Sequence, residues 1–465
     1  MKRITTLLAA IISMAFMNQA SATHAIVEVT TAGQLNSVVE VANCDSITIS
    51  GNLNRNDFDF IRTQMPNLVY LNLRKVTVPE NKLPNSGLYE MKSLKEVMLP
   101  DNLETIGNSA FIYCSNLKDI SFPETLVTIE YNAFYHSGLS EVTFPANLQT
   151  ISDAAFYECY DLKKVTFPKK LRVIGNNAFL RSNLSEVILP DSLKTIGNYA
   201  FCYCQQLQKV VFPEKLERMG EYAFYDCFRL HTATLKGKTA PSIAGNTFNY
   251  TKVFYVPEGA AQTYKDASYW SNQVIIDGNT PKKVTVTLAT AGTLGEEILK
   301  QVEYVKQVNE LVINGPLNND DFYQIQQQAT NLITIDLTGA TIETLPEKFF
   351  YERAALLDIK LPATLKSIGR YAFYQCYGLT RISIPEGVTS IGEYAFYRCL
   401  SMQEITLPGT LTEMQNSIFE ECSSLANIEF PDKITNIESR MCHNCSALKP
   451  VSYTHLRAHE TEADL

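Results

Sequence analysis

Residues able to carry out acid–base or metal chemistry are few in this chain of 465 residues. Histidine is the side chain best suited to proton transfer near neutral pH. It occurs only at His24, His136, His231, His443, His455 and His459, and none of these has a partner at metal-ligand spacing. A Ser–His–Asp or Cys–His site would need partners brought together by the fold. We therefore predict no enzyme active site, no bound metal and no cofactor.

Cysteine is more frequent, with eleven residues, and eight of them recur at one position of a periodic pattern: Cys114, Cys159, Cys204, Cys227, Cys376, Cys399, Cys422 and Cys445. This recurrence predicts a structural ladder of small buried thiols that hydrogen-bond weakly. A disulfide framework is the alternative, because rungs about 4.8 Å apart would place α-carbons within bonding distance. Ser137 and Ser182 replace cysteine in two units, which favours free thiols.

Three short motifs resemble ligand sites. Cys202-x-Cys204 and Cys442-x-x-Cys445 are half zinc sites, but no second pair completes either of them. Gly237-Lys238-Thr239 ends like a phosphate-binding loop, although the glycine required five residues earlier is Thr232.

The segments Asn54–Phe58 and Asn318–Phe322 are acidic enough to suggest calcium. Asparagine and aspartate are also preferred at helix N-termini, where they accept hydrogen bonds from free amides. Helix capping is our prediction for both segments.

The secondary-structure elements that position these residues are predicted by an internal repeat in the sequence. Units of 22 or 23 residues begin at prolines in two arrays: Pro100, Pro123, Pro145, Pro168, Pro190 and Pro213, then Pro362, Pro385, Pro408 and Pro431. A period in the twenties is typical of solenoids, in which each unit forms one coil.

The unit itself predicts the shape of a coil. Ile120 and Phe122 alternate as in a short strand, and Pro123 ends that strand because proline lacks an amide donor. Ala133-Phe134 should fill the centre of the next coil, and the pair recurs in the other coils. The last two units depart from it and keep Ile418-Phe419 and Arg440-Met441.

The repeat signature L-x-x-I-G-x-x-A-F-x-x-C-x-x-L-x-x-V-x-(F/L)-P resembles that of BspA-like bacterial surface antigens, over about 250 residues. The resemblance implies an α/β repeat, a leucine-rich-repeat solenoid with 22–23-residue coils. It also implies attachment to host matrix proteins and to other bacteria.

The chain is also duplicated, because Gly51–Phe58 matches Gly315–Phe322 and Asn67-Leu68 matches Asn331-Leu332, both at an offset of 264 residues. Each half should carry a cap, since an open solenoid end exposes apolar core. The predicted organisation is a signal peptide at 1–22, an N-terminal cap with irregular coils at 23–98, a first array at 99–236, a C-terminal cap and linker at 237–282, a second cap with irregular coils at 283–361, a truncated second array at 362–450 and an artefact tail at 451–465.

The two ends of the sequence support that outline. Lys2 and Arg3, an apolar core at Ile4–Phe16 and the small residues Ala20-Ser21-Ala22 form a secretory signal that would leave Thr23 as the first residue. From Val451 onward the sequence resembles a translated sequencing adapter.

After the signal peptide, no apolar run is long enough to span a membrane. The net charge of −9 argues against nucleic-acid binding.

Two sets of side chains are candidate binding surfaces. Outward strand positions should form a mixed-charge face at Lys118, Asp119, Glu141, Lys163, Lys164, Glu186, Lys209 and Arg381. Tyrosines that follow the repeat phenylalanine could stack into exposed stripes at Tyr135, Tyr157, Tyr225, Tyr374 and Tyr397. Tyrosine is favoured at interfaces, although covering the flank of each coil is the simpler role for these rings.

Together these features predict an exported bacterial surface or secreted protein that is adhesin-like and binds host or other bacterial surface proteins. Two alternatives stay open. The chain could be a structural or glycan-binding component of the envelope, or the targeting module of an enzyme whose catalytic domain lies beyond Pro450.

Overall fold

The computed structural model describes residues 23–39, 44–434 and 438–449. The predicted signal peptide at 1–22 and the tail at 451–465 lie outside these residues. None of the helices in the described ranges is long and apolar enough to cross a bilayer.

The first half begins with a cap built on long parallel strands. These are β1 (Thr23–Val29), β2 (Cys44–Asn52) and β3 (Tyr70–Thr77). The 3₁₀ turn Leu35–Ser37 and helix α1 (Arg55–Gln64) lie between them, and a second 3₁₀ turn, Pro79–Asn81, follows β3. Gly51 of β2 has φ +97°, and a Cβ there would lie 2.1 Å from the carbonyl oxygen of Val29. Only glycine fits this close approach.

Each following coil contributes two short strands. A three- or four-residue strand continues the face of the cap, and a two-residue strand forms the opposite face. The first face holds β5 (Glu96–Met98), β7 (Asp119–Ser121), β9 (Glu141–Thr143), β11 (Lys164–Thr166), β13 (Glu186–Ile188), β15 (Lys209–Phe212) and β17 (Thr232–Leu235). The second face is one parallel sheet of β4 (Lys82–Leu83), β6 (Thr105–Ile106), β8 (Thr128–Ile129), β10 (Thr150–Ile151), β12 (Val173–Ile174), β14 (Thr195–Ile196) and β16 (Arg218–Met219).

The first half ends with two longer strands and a short helix. Strand β18 (Val253–Val256) pairs with β17 and with β19 (Val274–Asp277), and helix α2 (Ala261–Asp266) connects β18 to β19. Tyr264 and Trp270 of this segment are fully buried against the last coil. The aromatic rings therefore cover the end of the first core.

The second half repeats the plan. Its cap holds β20 (Lys283–Thr287), α3 (Leu294–Leu299), the turn Val305–Gln307, β21 (Glu310–Pro316), α4 (Asn319–Tyr323) with its π-helical continuation Gln324–Gln328, and β22 (Thr334–Thr341). Its coils hold β23 (Thr344–Leu345), β24 (Asp358–Lys360), β25 (Ser367–Ile368), β26 (Arg381–Ser383), β27 (Ser390–Ile391), β28 (Glu404–Thr406) and β29 (Glu413–Met414). Gly315 repeats the φ of +97° seen at Gly51.

A stack of phenylalanine rings runs through the core of each half. In the first half neighbouring rings are 5.0 to 5.4 Å apart from Phe111 to Phe248. In the second half the stack runs from Phe350 to Phe419. This continuous stack confirms the predicted α/β repeat solenoid, with the helices confined to the cap segments.

One assignment within the last coil was wrong. The amide of Phe419 donates to the carbonyl of Met441, as the amide of Phe373 donates to that of Ala395. Met441-Cys442 therefore occupies the Ala-Phe positions, one residue later than Arg440-Met441. Because Cys442 stands at the position of the repeat phenylalanine, the sequence pattern does not show how this coil aligns with the others.

The last coil and end segment of the first half contact the coils of the second half. Arg229 Nε donates to Ser424 Oγ (3.3 Å), and Ser401 Oγ donates to the carbonyl of Phe228 (2.9 Å). The ring of Tyr250 meets that of Tyr377 edge to face at 4.7 Å. A separate apolar cluster of Val253, Val274, Ile276 and Ile333 lies beside these contacts. The first array thus packs against the second through a small mixed junction.

His231, two residues from Arg229 of this junction, should make the stability of the folded protein depend on pH. Burial, with the nearby charge of Arg229, lowers the pKa of His231 to about 4, while an unfolded histidine titrates near 6.5. The unfolded chain binds the additional proton between these values, so stability is lost as the pH falls through this window. Between pH 7 and pH 5 we expect a loss of about 2 kcal/mol. Urea unfolding at both pH values should show it, and His231→Gln should abolish it; an equal loss in the variant would contradict the assignment.

Candidate functional site

The outward positions of the strand face are exposed, as their alternation with buried residues requires. In each pair of strands they stand opposite one another: Asp119 opposite Glu96, Glu141 opposite Lys164, Glu186 opposite Lys209 and Arg381 opposite Glu404. Lys118 and Lys163 directly precede their strands and are exposed too. Acidic and basic side chains alternate from Glu141 to Lys209, whereas Glu96 and Asp119 are both acidic, which gives a surface of mixed charge.

The ion pairs on this face are open to water. Lys118 Nζ lies 2.6 Å from a carboxylate oxygen of Asp161, and Lys209 pairs with Glu186. Exposed pairs of this kind contribute between zero and about 1 kcal/mol to stability. The charges on the strand face are therefore available for contact with another molecule at little cost to the fold.

The strand face is interrupted, whereas the opposite face is continuous. Hydrogen-bonded pairing stops between β7 and β9 and again between β11 and β13, so the first half has three sheets on this side. In the second half β26 and β28 form a sheet apart from β24. Arg381 thus lies on a separate sheet from the seven other residues of the predicted face.

The tyrosines form two columns on the turn side of the coils. Column one contains the residue after the repeat phenylalanine, and column two contains the residue before the Ala-Phe pair. In the first half Tyr135 stacks on Tyr157 at 4.9 Å. Leu180 and Cys202 then interrupt column one before Tyr225. The structure therefore does not bring Tyr157 and Tyr225 together.

In the second half both columns run side by side without interruption. Column one stacks Tyr351, Tyr374 and Tyr397 at 4.8 and 5.0 Å, and column two stacks Tyr371 on Tyr394 at 5.3 Å. Rings of the two columns meet edge to face at 5.5 Å within each coil. We call this arrangement the twin tyrosine column.

A cavity of about 330 Å³ lies on the twin tyrosine column, lined by Tyr371, Tyr374, Tyr394, Tyr397, Glu420 and Arg440. The side chain of Glu420 is 4% exposed and is paired with Arg440, and His443 Nδ1 lies 3.6 Å from it. Burial and the charge of Glu421 raise the pKa of Tyr397 to about 12. The phenol of Tyr397 is therefore protonated at neutral pH, and it donates to Glu421 at 3.3 Å.

Every cysteine of the structural ladder donates its thiol to a carbonyl in the preceding coil. In seven of them the acceptor is the repeat phenylalanine, as for Cys204 and Phe179 at 3.2 Å, and in Cys114 it is Leu88 at 3.1 Å. Ser182 donates to the equivalent carbonyl of Phe156. Serine thus fits the ladder because its hydroxyl reaches the same acceptor.

These thiols should be unreactive in the folded protein. All eleven cysteines are buried and free, and burial raises the pKa of Cys159 to about 11 and that of Cys114 to about 12. Because the thiolate is the reactive form, a thiol reagent such as Ellman's should label the native protein negligibly at pH 8 and label eleven sites after denaturation. Rapid native labelling would contradict the buried ladder, and fewer than eleven sites after denaturation would indicate disulfides.

The two acidic segments show a role that the sequence did not reveal. Asn54 caps α1 and accepts from the amide of Asn56, as the capping prediction requires. The carboxylate of Asp57 also accepts from the amides of Gly33 and Leu35, at 2.6 and 2.9 Å, which lie in a distant turn. Asp321 repeats these bonds in the second half. Both carboxylates therefore fasten a cap helix to the turn after the first strand.

Sequence reasoning also missed Tyr351 and Glu420. Tyr351 follows Phe350 as other column tyrosines follow their phenylalanine, but the missing alanine concealed it. Glu420 occupies the column-one position in the coil after that of Tyr397, and a charged residue there does not match the tyrosine pattern. In the described part of the chain no three potential metal ligands cluster together.

Comparison with known proteins places this architecture in a family. The family model described as BspA type leucine-rich repeat region matches in six copies, at residues 81–206, 173–285 and 343–458. A search of the curated proteins found no match.

Three solved structures illustrate the likeness. A leucine-rich repeat protein from Bacteroides ovatus is 20% identical, with 86% of this chain and 85% of that chain covered and a TM-score of 0.31. A leucine-rich cell surface protein from Faecalibacterium prausnitzii is 22% identical, with 88% of each chain covered and a TM-score of 0.32. A leucine-rich repeat protein from T. pallidum is 32% identical over 32% of this chain and 71% of that chain, with a TM-score of 0.31.

The repeat match decides the assignment, because it covers more than half of the chain and coincides with the coils described above. Solenoids of this type present extended surfaces to other proteins. This chain belongs to the BspA-type leucine-rich-repeat family.

Proposed function

We propose that this protein is exported, that it acts at the bacterial surface or after secretion, and that it binds other proteins there as an adhesin-like module without catalytic activity. Its partners would be host extracellular matrix proteins or surface proteins of other bacteria. The signal peptide predicted in the first 22 residues and the membership of the BspA-type family support this proposal.

The strand face is the observation that carries the proposal. Glu141, Lys164, Glu186 and Lys209 are exposed and held in register by the backbone pairing of their strands. The backbone needs no reordering for these side chains to meet a partner, so binding costs little backbone conformational entropy there. Alternating charges on such a surface favour a partner of mixed charge, as protein surfaces are, and oppose a uniformly anionic partner such as nucleic acid.

The test is binding of the purified protein to immobilised matrix glycoproteins in a label-free optical assay at physiological salt. The strand-face variant replaces Glu141, Lys164, Glu186 and Lys209 by alanine. The control variant replaces Lys194 and Glu217 by alanine, an equally exposed ion pair at 2.7 Å on the opposite face of neighbouring coils. We expect saturable binding that the strand-face variant loses and the control variant keeps.

Each outcome has a defined meaning. Absence of binding to any glycoprotein, with folded protein, would reject the adhesin-like function and favour an envelope scaffold or the targeting module of an enzyme. Equal loss in both variants would show that binding does not depend specifically on the strand face.

A further inference from the structure

Of the surfaces on this molecule, the twin tyrosine column has a geometry that selects a ligand. We propose that it binds a proline-rich polypeptide segment in the extended polyproline II conformation. This inference rests on the proposed function, since it names the chemical class of one protein partner and the place where that partner binds.

The spacing of the rings is the first argument. Tyr351 and Tyr374 are 4.8 Å apart, and Tyr374 and Tyr397 are 5.0 Å apart, so the three rings of column one span close to 10 Å. A polyproline II helix has three residues per turn and rises about 9 Å in each turn. One turn of such a segment therefore nearly matches the two intervals of the column. Prolines three residues apart, which face the same side of the helix, can lie against Tyr351 and Tyr397.

Hydrogen bonding is the second argument. A polyproline II helix has no internal hydrogen bonds, so its carbonyl groups need external donors. The hydroxyl of Tyr394 has no hydrogen-bond partner in the described part of the chain. The hydroxyl of Tyr371 accepts from Arg370 at 3.0 Å, which leaves its own proton free to be donated. Column two therefore supplies two donors on neighbouring coils beside the rings of column one.

Charge is the third argument. Glu420 and Arg440, which line the cavity, are paired with each other, and Arg370 beside Tyr371 is paired with Glu393. Arg370 also lies 4.6 Å from the centre of the Tyr371 ring. The walls are thus electrically balanced, which suits an uncharged segment. Tyrosine-lined grooves that donate hydrogen bonds are a general means of binding proline-rich segments, because these lose little entropy on binding.

The first half of the protein offers a natural comparison. Tyr199 and Tyr222 stack at 4.8 Å in column two, as Tyr371 and Tyr394 do. However, Leu180 and Cys202 occupy column one in the two coils before Tyr225. The first half therefore has paired donors without three consecutive rings, and we infer that it does not bind the same segment.

The experiment is a titration of the full protein with a dye-labelled peptide of ten prolines, followed by fluorescence anisotropy. A Gly-Ser peptide of equal length is the control ligand. The double variant Tyr371→Phe, Tyr394→Phe keeps every ring and removes both donors. We expect it to bind the proline peptide about tenfold more weakly or worse. The matched variant Tyr199→Phe, Tyr222→Phe should bind as the wild type does.

Several results would overturn the inference. These are no binding of the proline peptide, equal binding of the Gly-Ser peptide, equal affinity in the Tyr371→Phe, Tyr394→Phe variant, or displacement of the peptide by an oligosaccharide such as maltoheptaose. Unchanged thermal unfolding of each variant excludes misfolding as the cause. If glycoprotein binding through the strand face persists while the proline peptide fails to bind, this inference fails and the proposed function stands.

Discussion

Replacing Phe201 by alanine is expected to lower the free energy of unfolding by about 3 to 5 kcal/mol. Phe201 is completely buried and stacks between Phe179 and Phe224, at 5.3 and 5.2 Å. Alanine would leave a cavity in the middle of the stack, and the coils on either side are held by backbone hydrogen bonds to their neighbours. The cavity cannot close without breaking those bonds, so we expect the full loss of unfolding free energy that an unfilled cavity causes.

The measurement is urea unfolding followed by circular dichroism, compared with Tyr131→Ala. Tyr131 is 53% exposed, so its replacement should change stability by less than about 0.5 kcal/mol. A solenoid couples each coil only to its neighbours. We therefore also expect the Phe201→Ala transition to become broader. A loss below about 1 kcal/mol would show that the ring stack is not the main support of the core.

Replacing Asp321 by asparagine is expected to cost about 3 kcal/mol or more. The carboxylate is fully buried and accepts from the amides of Gly292, Leu294 and Asn318, at 2.6, 2.9 and 2.9 Å. An asparagine side chain has the same shape but directs its own N–H groups toward some of these donors. Buried amides would then lose their acceptors.

The first half permits a replicate and the neighbouring residue provides a control. Asp57 makes the equivalent bonds at the same distances, so Asp57→Asn should cost as much. Asp320 lies in the same first turn but is exposed, and Asp320→Asn should be close to neutral. Hydrogen exchange should show the turn near Gly292 opening in Asp321→Asn alone. Equal effects of Asp320→Asn and Asp321→Asn would refute the anchoring role.

The coils were predictable because their causes are local and periodic. Phe111 and its equivalents recur at a fixed interval, and a fixed interval is what stacks rings in a column. The strand ending at Pro123 and the small alanine beside each phenylalanine follow from the same unit. Capping by Asn54 and Asn318 was predictable too, since it concerns neighbouring residues only.

The remaining features depend on contacts that no repeat encodes. Arg229 and Ser424 meet across 195 positions, and a periodic pattern says nothing about how one array packs against another. The bonds from Asp57 to the turn at Gly33 join two irregular segments. The twin tyrosine column begins at Tyr351, whose unit lacks the repeat alanine. The order of residues along the chain does not show that the two columns lie side by side.

The stacking of coils also has a consequence for the order in which the protein assembles. In the first half each new coil forms backbone hydrogen bonds to the coil before it, as the amide of Lys118 does to the carbonyl of Lys95. A chain that emerges N-terminus first, from a ribosome or an export channel, can therefore add one coil at a time to the cap at β1–β3. Coils that have already folded do not have to unfold again, and little apolar surface stays exposed until a distant part of the chain is synthesised. The second cap begins the process again at Lys283, so each half can form its core while the rest of the chain is still in transit.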